Sequence, residues 1–119
     1  MNRTLVKVLT TMFLAIALAQ LKVIAEESST TTVDRVTIEI TTSGDYDDLK
    51  AVATNNNPFD VEITCPIVYT TLIDREVREK NFEFRGSVKA NKKEFLVGTI
   101  MGNRNKFERF ETVMVKQQK

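Results

Sequence analysis

The chain of 119 residues carries 17 basic and 16 acidic side chains, one Cys, no Trp and no His, for a formal net charge of +1. That length holds one domain with its own core and leaves no room for a second. A single Cys forms no internal disulfide, and the lack of His removes the usual general base near neutral pH and the commonest metal ligand.

The first basic residues, Arg3 and Lys7, precede an apolar run over 8–19, the pattern of a secretory signal. Val23, Ile24 and Ala25 then place small or short side chains ahead of Glu26 and Glu27. A signal peptide over 1–25 is predicted, cut after Ala25, with a cut after Ala19 as the alternative. Lys7, Gln20 and Lys22 break the roughly 20 apolar residues that a spanning helix needs. The expected location is therefore periplasmic or secreted, without stable membrane insertion after cleavage.

Residues 26–32, rich in Glu, Ser and Thr, have nothing to bury and are predicted to be a flexible polar tail. The domain proper is predicted over 33–116. Val36, Ile38 and Ile40 alternate with Thr37, Glu39 and Thr41, which marks 33–41 as a first strand with one buried face. A turn over 42–48 follows. Its Asp45, Asp47 and Asp48 raise the possibility of calcium, but the spacing lacks the internal Gly and distal Glu of a helix-loop-helix site.

Residues 49–54 read as a second strand, and the run Asn55, Asn56, Asn57 and Pro58 as a loop. The strongest alternation comes next: Phe59, Val61, Ile63 and Cys65 against Asp60, Glu62 and Thr64. Cys65 is read as a small buried apolar residue. Pro66 has no N–H to give to a ladder, so it marks a bulge, an edge or a crossing between sheets before the strand resumes over 67–73.

A turn at 74–76, a strand over 79–85, a loop over 86–93 and a strand over 94–101 complete most of the chain. Gly102, Asn103, Arg104 and Asn105 read as a hairpin turn, and 107–115 as the last strand. About seven short strands with turns at regular intervals and no helical period predict an all-β, immunoglobulin-like antiparallel sandwich. Phe59, Tyr69, Phe82, Phe84, Phe95, Phe107 and Phe110 supply large side chains for the space between its sheets.

The charge is unevenly spread. Residues 26–74 hold two basic and ten acidic side chains, whereas 75–119 hold twelve basic and six acidic. These either pair off as neighbours or leave a basic face that steers an acidic protein partner. The candidate partner-binding residues are Arg78, Lys80, Arg85, Lys89, Lys92 and Lys93, with Arg104, Lys106 and Arg109 in the wider basic set. Nucleic acid is a poor candidate, because the chain is predicted to be exported and its mature form is not basic. No phosphate loop, nucleophile elbow or metal-ligand cluster is present in the sequence, and pairs such as Asp47 with Asp48 or Glu108 with Glu111 are ordinary surface composition. The expectation is a non-enzymatic protein with no cofactor.

The segments Arg78-Glu79-Lys80-Asn81-Phe82-Glu83-Phe84, Ser87-Val88-Lys89-Ala90-Asn91 and Phe95-Leu96-Val97-Gly98-Thr99-Ile100-Met101 carry a resemblance that extends over about half of the mature chain. Their order of charged strand, Ala-Asn turn and alternating strand resembles the C-terminal half of the small periplasmic curli-assembly inhibitors. The resemblance implies an immunoglobulin-like protein that makes transient electrostatic contact with unfolded amyloid subunits in the periplasm and performs no enzymatic step; a monomer is expected. The enteric members carry a Cys-x-Cys pair near the corresponding strand; here Cys65 stands alone before Pro66, which leaves no dithiol chemistry. The alternative is a structural subunit or accessory module of a surface assembly, whose sheet edges pair between copies.

Overall fold

The computed structural model describes residues 27–119. The expected signal peptide lies outside the described residues.

Eight strands build two antiparallel sheets: β1 (Glu27–Val33), β2 (Val36–Ser43), β3 (Asp48–Asn55), β4 (Val61–Ile73), β5 (Glu76–Val88), β6 (Phe95–Ile100), β7 (Lys106–Phe110) and β8 (Met114–Gln117). One sheet runs β1-β2-β3-β6 and the other β5-β4-β7, with β8 also paired to β4. The expected antiparallel sandwich is present, with eight strands in place of about seven.

The core follows from the period-two pattern. Val36, Ile38 and Ile40 of β2 and Leu49, Ala51 and Ala53 of β3 face Val61, Ile63, Cys65 and Ile67 of β4, with Phe84 and Val88 of β5. Each fully buried Val, Leu or Ile side chain of this set contributes roughly 1.5–3 kcal/mol by leaving water. Phe59, Tyr69, Phe95, Phe107 and Phe110 are half-buried around it. Phe82 is the exception among the predicted core aromatics: it lies on an edge strand, 42% exposed, edge-on to Phe84 at 4.9 Å between ring centroids.

The polar segment expected to be a tail is instead strand β1 from Glu27 onward. It pairs residue by residue with β2, from Glu27 opposite Thr42 to Val33 opposite Val36. Backbone hydrogen bonds to a strand already anchored in the core hold it, so it needs no apolar face of its own. The first predicted strand is accordingly split by a two-residue turn at Asp34 and Arg35, both at positive φ (48° and 66°). The same dipeptide, Asp74-Arg75, at φ of 51° and 67°, turns β4 into β5.

Pro66 breaks nothing. β4 runs through it as one strand of 13 residues. The Pro66 carbonyl accepts the Glu111 N–H at 2.8 Å, which places the missing donor on the same side, toward β7 and β8. There β7 ends at Phe110 and β8 begins at Met114, so the absent N–H falls beside the gap between the two. What reads as one last strand over 107–115 is thus two short strands laid end to end along β4.

Residues 102–105 do not form a hairpin. β6 belongs to the first sheet and β7 to the second, so this turn carries the chain between layers. Asn105 is buried and its side-chain amide donates to the Ile100 carbonyl at 3.3 Å. That inward side chain ties the crossing to the end of β6.

Candidate partner-binding surface

Strand β5 carries three of the six predicted contact residues and leads into the loop that carries the rest. Its pleat separates them. Phe84 and Val88 are buried between the sheets, so the even-numbered residues, including Arg78 and Lys80, share the inward-facing side, and Arg85 projects from the outer face. Lys89, Lys92 and Lys93 lie beyond the strand's other end, with roughly 30 Å of strand between Arg78 and Lys89. The six residues therefore do not form one patch.

The loop end is built on asparagine. Asn55 is fully buried at the end of β3, and its amide N–H groups are shared among the carbonyls of Phe59 (2.9 Å), Val88 (3.2 Å) and Lys89 (3.0 Å). Its side-chain oxygen accepts both the backbone N–H and the side-chain amide of Asn57, each at 3.0 Å. Asn57 in turn donates to the Asp34 carbonyl at 2.9 Å. This knot joins the β1–β2 turn, the β3–β4 loop and the loop after β5, and satisfies polar groups that would be costly to bury alone.

The lysines of that loop are partly engaged. Lys89 approaches Asp60 at 3.5 Å, and Lys93 donates to the Asn56 side-chain oxygen at 2.7 Å. Asp60 also accepts the Ala90 N–H at 2.9 Å, and that bond, helped by Lys89, holds its carboxyl below the usual value of 3.8 against the opposing effect of desolvation. The Lys92 carbonyl accepts the Asn55 N–H at 2.8 Å.

Along β5 and its neighbours the arginines meet acids of their own half of the chain. Arg78 pairs with Glu76 at 2.8 Å, Arg85 with Glu83, and Arg109 with Glu111 at 2.9 Å and Glu79 at 3.7 Å. All are exposed pairs, each contributing on the order of 0–1 kcal/mol. The Arg109–Glu79 pair reaches across the outer face of β4, where Val68 is 3% exposed. The charge imbalance between the halves is bridged directly at Lys89 and Asp60 alone among the described ion pairs.

No protein-family model, curated protein or solved structure matches this chain. The main feature of the surface, missed in sequence, is the edge formed by β5, whose 13 residues pair with β4 alone among the described strands. The signal for it was the run of charges of alternating sign from Glu76 to Arg85, interrupted by Val77, Asn81, Phe82 and Phe84, with the Asp-Arg turn just before it.

Two other features carry less. Asp45, Asp47 and Asp48 do not come together with other ligands: the described residues hold no group of three His, Cys, Asp or Glu side chains placed for a cation, and Asp48 accepts the Gly102 N–H at 2.9 Å. Cys65 is buried, and desolvation pushes its thiol up to about 11.

Proposed function

We propose that the protein is a non-catalytic binding protein of the periplasm or extracellular space, a chaperone-like inhibitor that keeps amyloid-forming, curli-type subunits soluble. The β5 edge is the observation that supports this reading. An unfolded subunit in extended form adds alongside such an edge through backbone hydrogen bonds. The alternating Glu76, Arg78, Glu79, Lys80, Glu83 and Arg85 give that contact electrostatic character, and charged edges of this kind are poor templates for further strands. Arg78, Lys80 and Arg85 are then the strand contacts, and Lys89, Lys92 and Lys93 a second, separate basic group that attracts acidic segments.

Fibrillation of a purified curli subunit tests it. Substoichiometric protein lengthens the lag, and charge reversal at Lys89, Lys92 and Lys93 weakens the effect. An unchanged lag at every ratio overturns the proposal.

A second reading, a structural subunit or accessory module of a surface assembly, draws support from the sheet edges at β1, β5 and β6. It requires open-ended oligomers that grow with concentration.

A further inference from the structure

We infer that β5 is also a homodimer interface, joining two copies of this chain antiparallel about a two-fold axis at Phe82, in place of the monomer expected from sequence. The dimer uses the same outward row of β5 as the client-binding proposal, so a second copy and a client strand compete for that edge and a client adds only to the dissociated protomer; the two are told apart because dimerisation is measured by mass.

The backbone directions on β4 fix which groups β5 offers. The carbonyls of Asp60 and Pro66 accept from Gln118 (2.9 Å) and Glu111 (2.8 Å), and the Leu72 N–H donates to Asn103 (3.0 Å). Even-numbered residues of β4 therefore direct their backbone groups away from β5, and odd-numbered ones toward it. With Ile67 opposite Phe82 and Cys65 opposite Phe84, the even-numbered residues of β5 bond to β4. Val77, Glu79, Asn81, Glu83, Arg85 and Ser87 turn their N–H and C=O groups outward. Among the described residues no strand pairs with them.

Two copies can meet on that row only in registers that set odd residues against odd. A two-fold at Asn81 puts Glu79 opposite Glu83, a two-fold at Lys80 puts lysine against lysine, and a two-fold at Glu83 puts glutamate against glutamate. Like charges directly opposite are destabilising. A two-fold at Phe82 does the reverse. Glu79 meets Arg85 twice, Asn81 meets Glu83 twice, and Val77 meets Ser87 twice, each pair exchanging both backbone bonds.

The same axis is the midpoint of the strand, which runs from Glu76 to Val88. All 13 residues are then paired, with none overhanging. The two Phe82 rings meet at a non-hydrogen-bonded pair with Cα atoms about 4.5 Å apart, the closer of the two antiparallel spacings. That contact covers the large aromatic that the sandwich itself leaves 42% exposed. The symmetry closes on itself, so the product is a dimer and not a fibre.

Sedimentation equilibrium of the purified protein, with circular dichroism as a check on folding, tests the inference. The wild type dimerises with rising concentration. Glu79→Arg and Arg85→Glu, both at exposed positions, each turn two attractive contacts repulsive and weaken dimerisation by about tenfold or more. Mixed together, the two single variants form a heterodimer, because every Arg then faces a Glu, and the double variant dimerises as the wild type does. Independently, Phe82→Cys gives an intermolecular disulfide under mild oxidation, since the expected Cα separation lies in the bridging range. A wild type that stays monomeric at every concentration overturns the inference, as does a dimer indifferent to both charge reversals. A fibrillation lag left unchanged at concentrations where sedimentation shows the protomer bears on the client proposal alone.

Discussion

Gly98 of β6 and Phe84 of β5 meet across the gap between the two sheets: a Cβ on Gly98 would lie 3.0 Å from Phe84 Cδ1 and 3.3 Å from Cε1. Phe84 is 2% exposed and anchors the edge strand to the facing layer. A side chain at residue 98 would crowd the Phe84 ring. Gly98→Ala forces the ring or the sheet spacing to give, and overpacking of this kind costs about 1–3 kcal/mol. The expected outcome is a lower denaturation midpoint in urea with an unchanged slope. A variant as stable as the wild type would show that the layers yield freely there.

Asn55 joins three loops through one buried side chain. Asn55→Ala leaves the carbonyls of Phe59, Val88 and Lys89 and the amide of Asn57 short of partners. A buried polar group stranded in this way costs about 1–3 kcal/mol. Hydrogen exchange should quicken at Asn57 and Asn91, whose backbone groups are linked at 3.0 Å, well before the β2 and β3 core is affected.

The carboxyl of Asp60 supplies a pH readout. Its folded value is depressed, chiefly by the Ala90 N–H and then by Lys89, so its contribution is fully present above the ordinary carboxylate range and is lost as pH falls through the folded value. The Ala90 amide proton resonance should titrate with a midpoint below 3.8, and Asp60→Asn should abolish that titration. A midpoint at or above 3.8 would contradict the geometry.

The Cys65 thiol sits between the sheets with its ionisation pushed up to about 11 by burial. Because the thiolate is the reacting form, alkylation at pH 8 should be negligible in the native protein and immediate in denaturant. The native rate then measures opening of the sandwich.

Arg35 and Arg75 both occupy turn positions at positive φ, 66° and 67°, where a side chain is unfavourable. Arg75→Gly should stabilise the β4–β5 hairpin by up to about 1 kcal/mol, raising the thermal midpoint by several degrees.

The buried faces of β2, β3 and β4 were legible because Val36, Ile38, Ile40 and Val61, Ile63, Cys65 announce themselves by alternation. β1 was not, since Ser28, Thr30 and Thr32 gain their place from the partner's backbone. The Asp34-Arg35 turn was hidden inside an apolar alternation, although the identical Asp74-Arg75 was read as a turn. Pro66 misled because which flank a proline faces depends on pairings far away in the chain. The basic residues of 78–93 were identifiable as a set, but their spread over two faces and two ends depends on the pleat and length of β5. The self-complementary spacing of Glu79 and Arg85 about Phe82 was present in the sequence and became meaningful only once the strand's outward row was known.

The interruption between β7 and β8 beside Pro66 has an evolutionary side. Because the two short strands hold separate registers on β4, residues inserted or deleted near Thr112 would not slide either one out of alignment. Length variation among descendants of this chain should therefore collect at that seam, while the uninterrupted hairpin of β4 and β5 keeps its residue count.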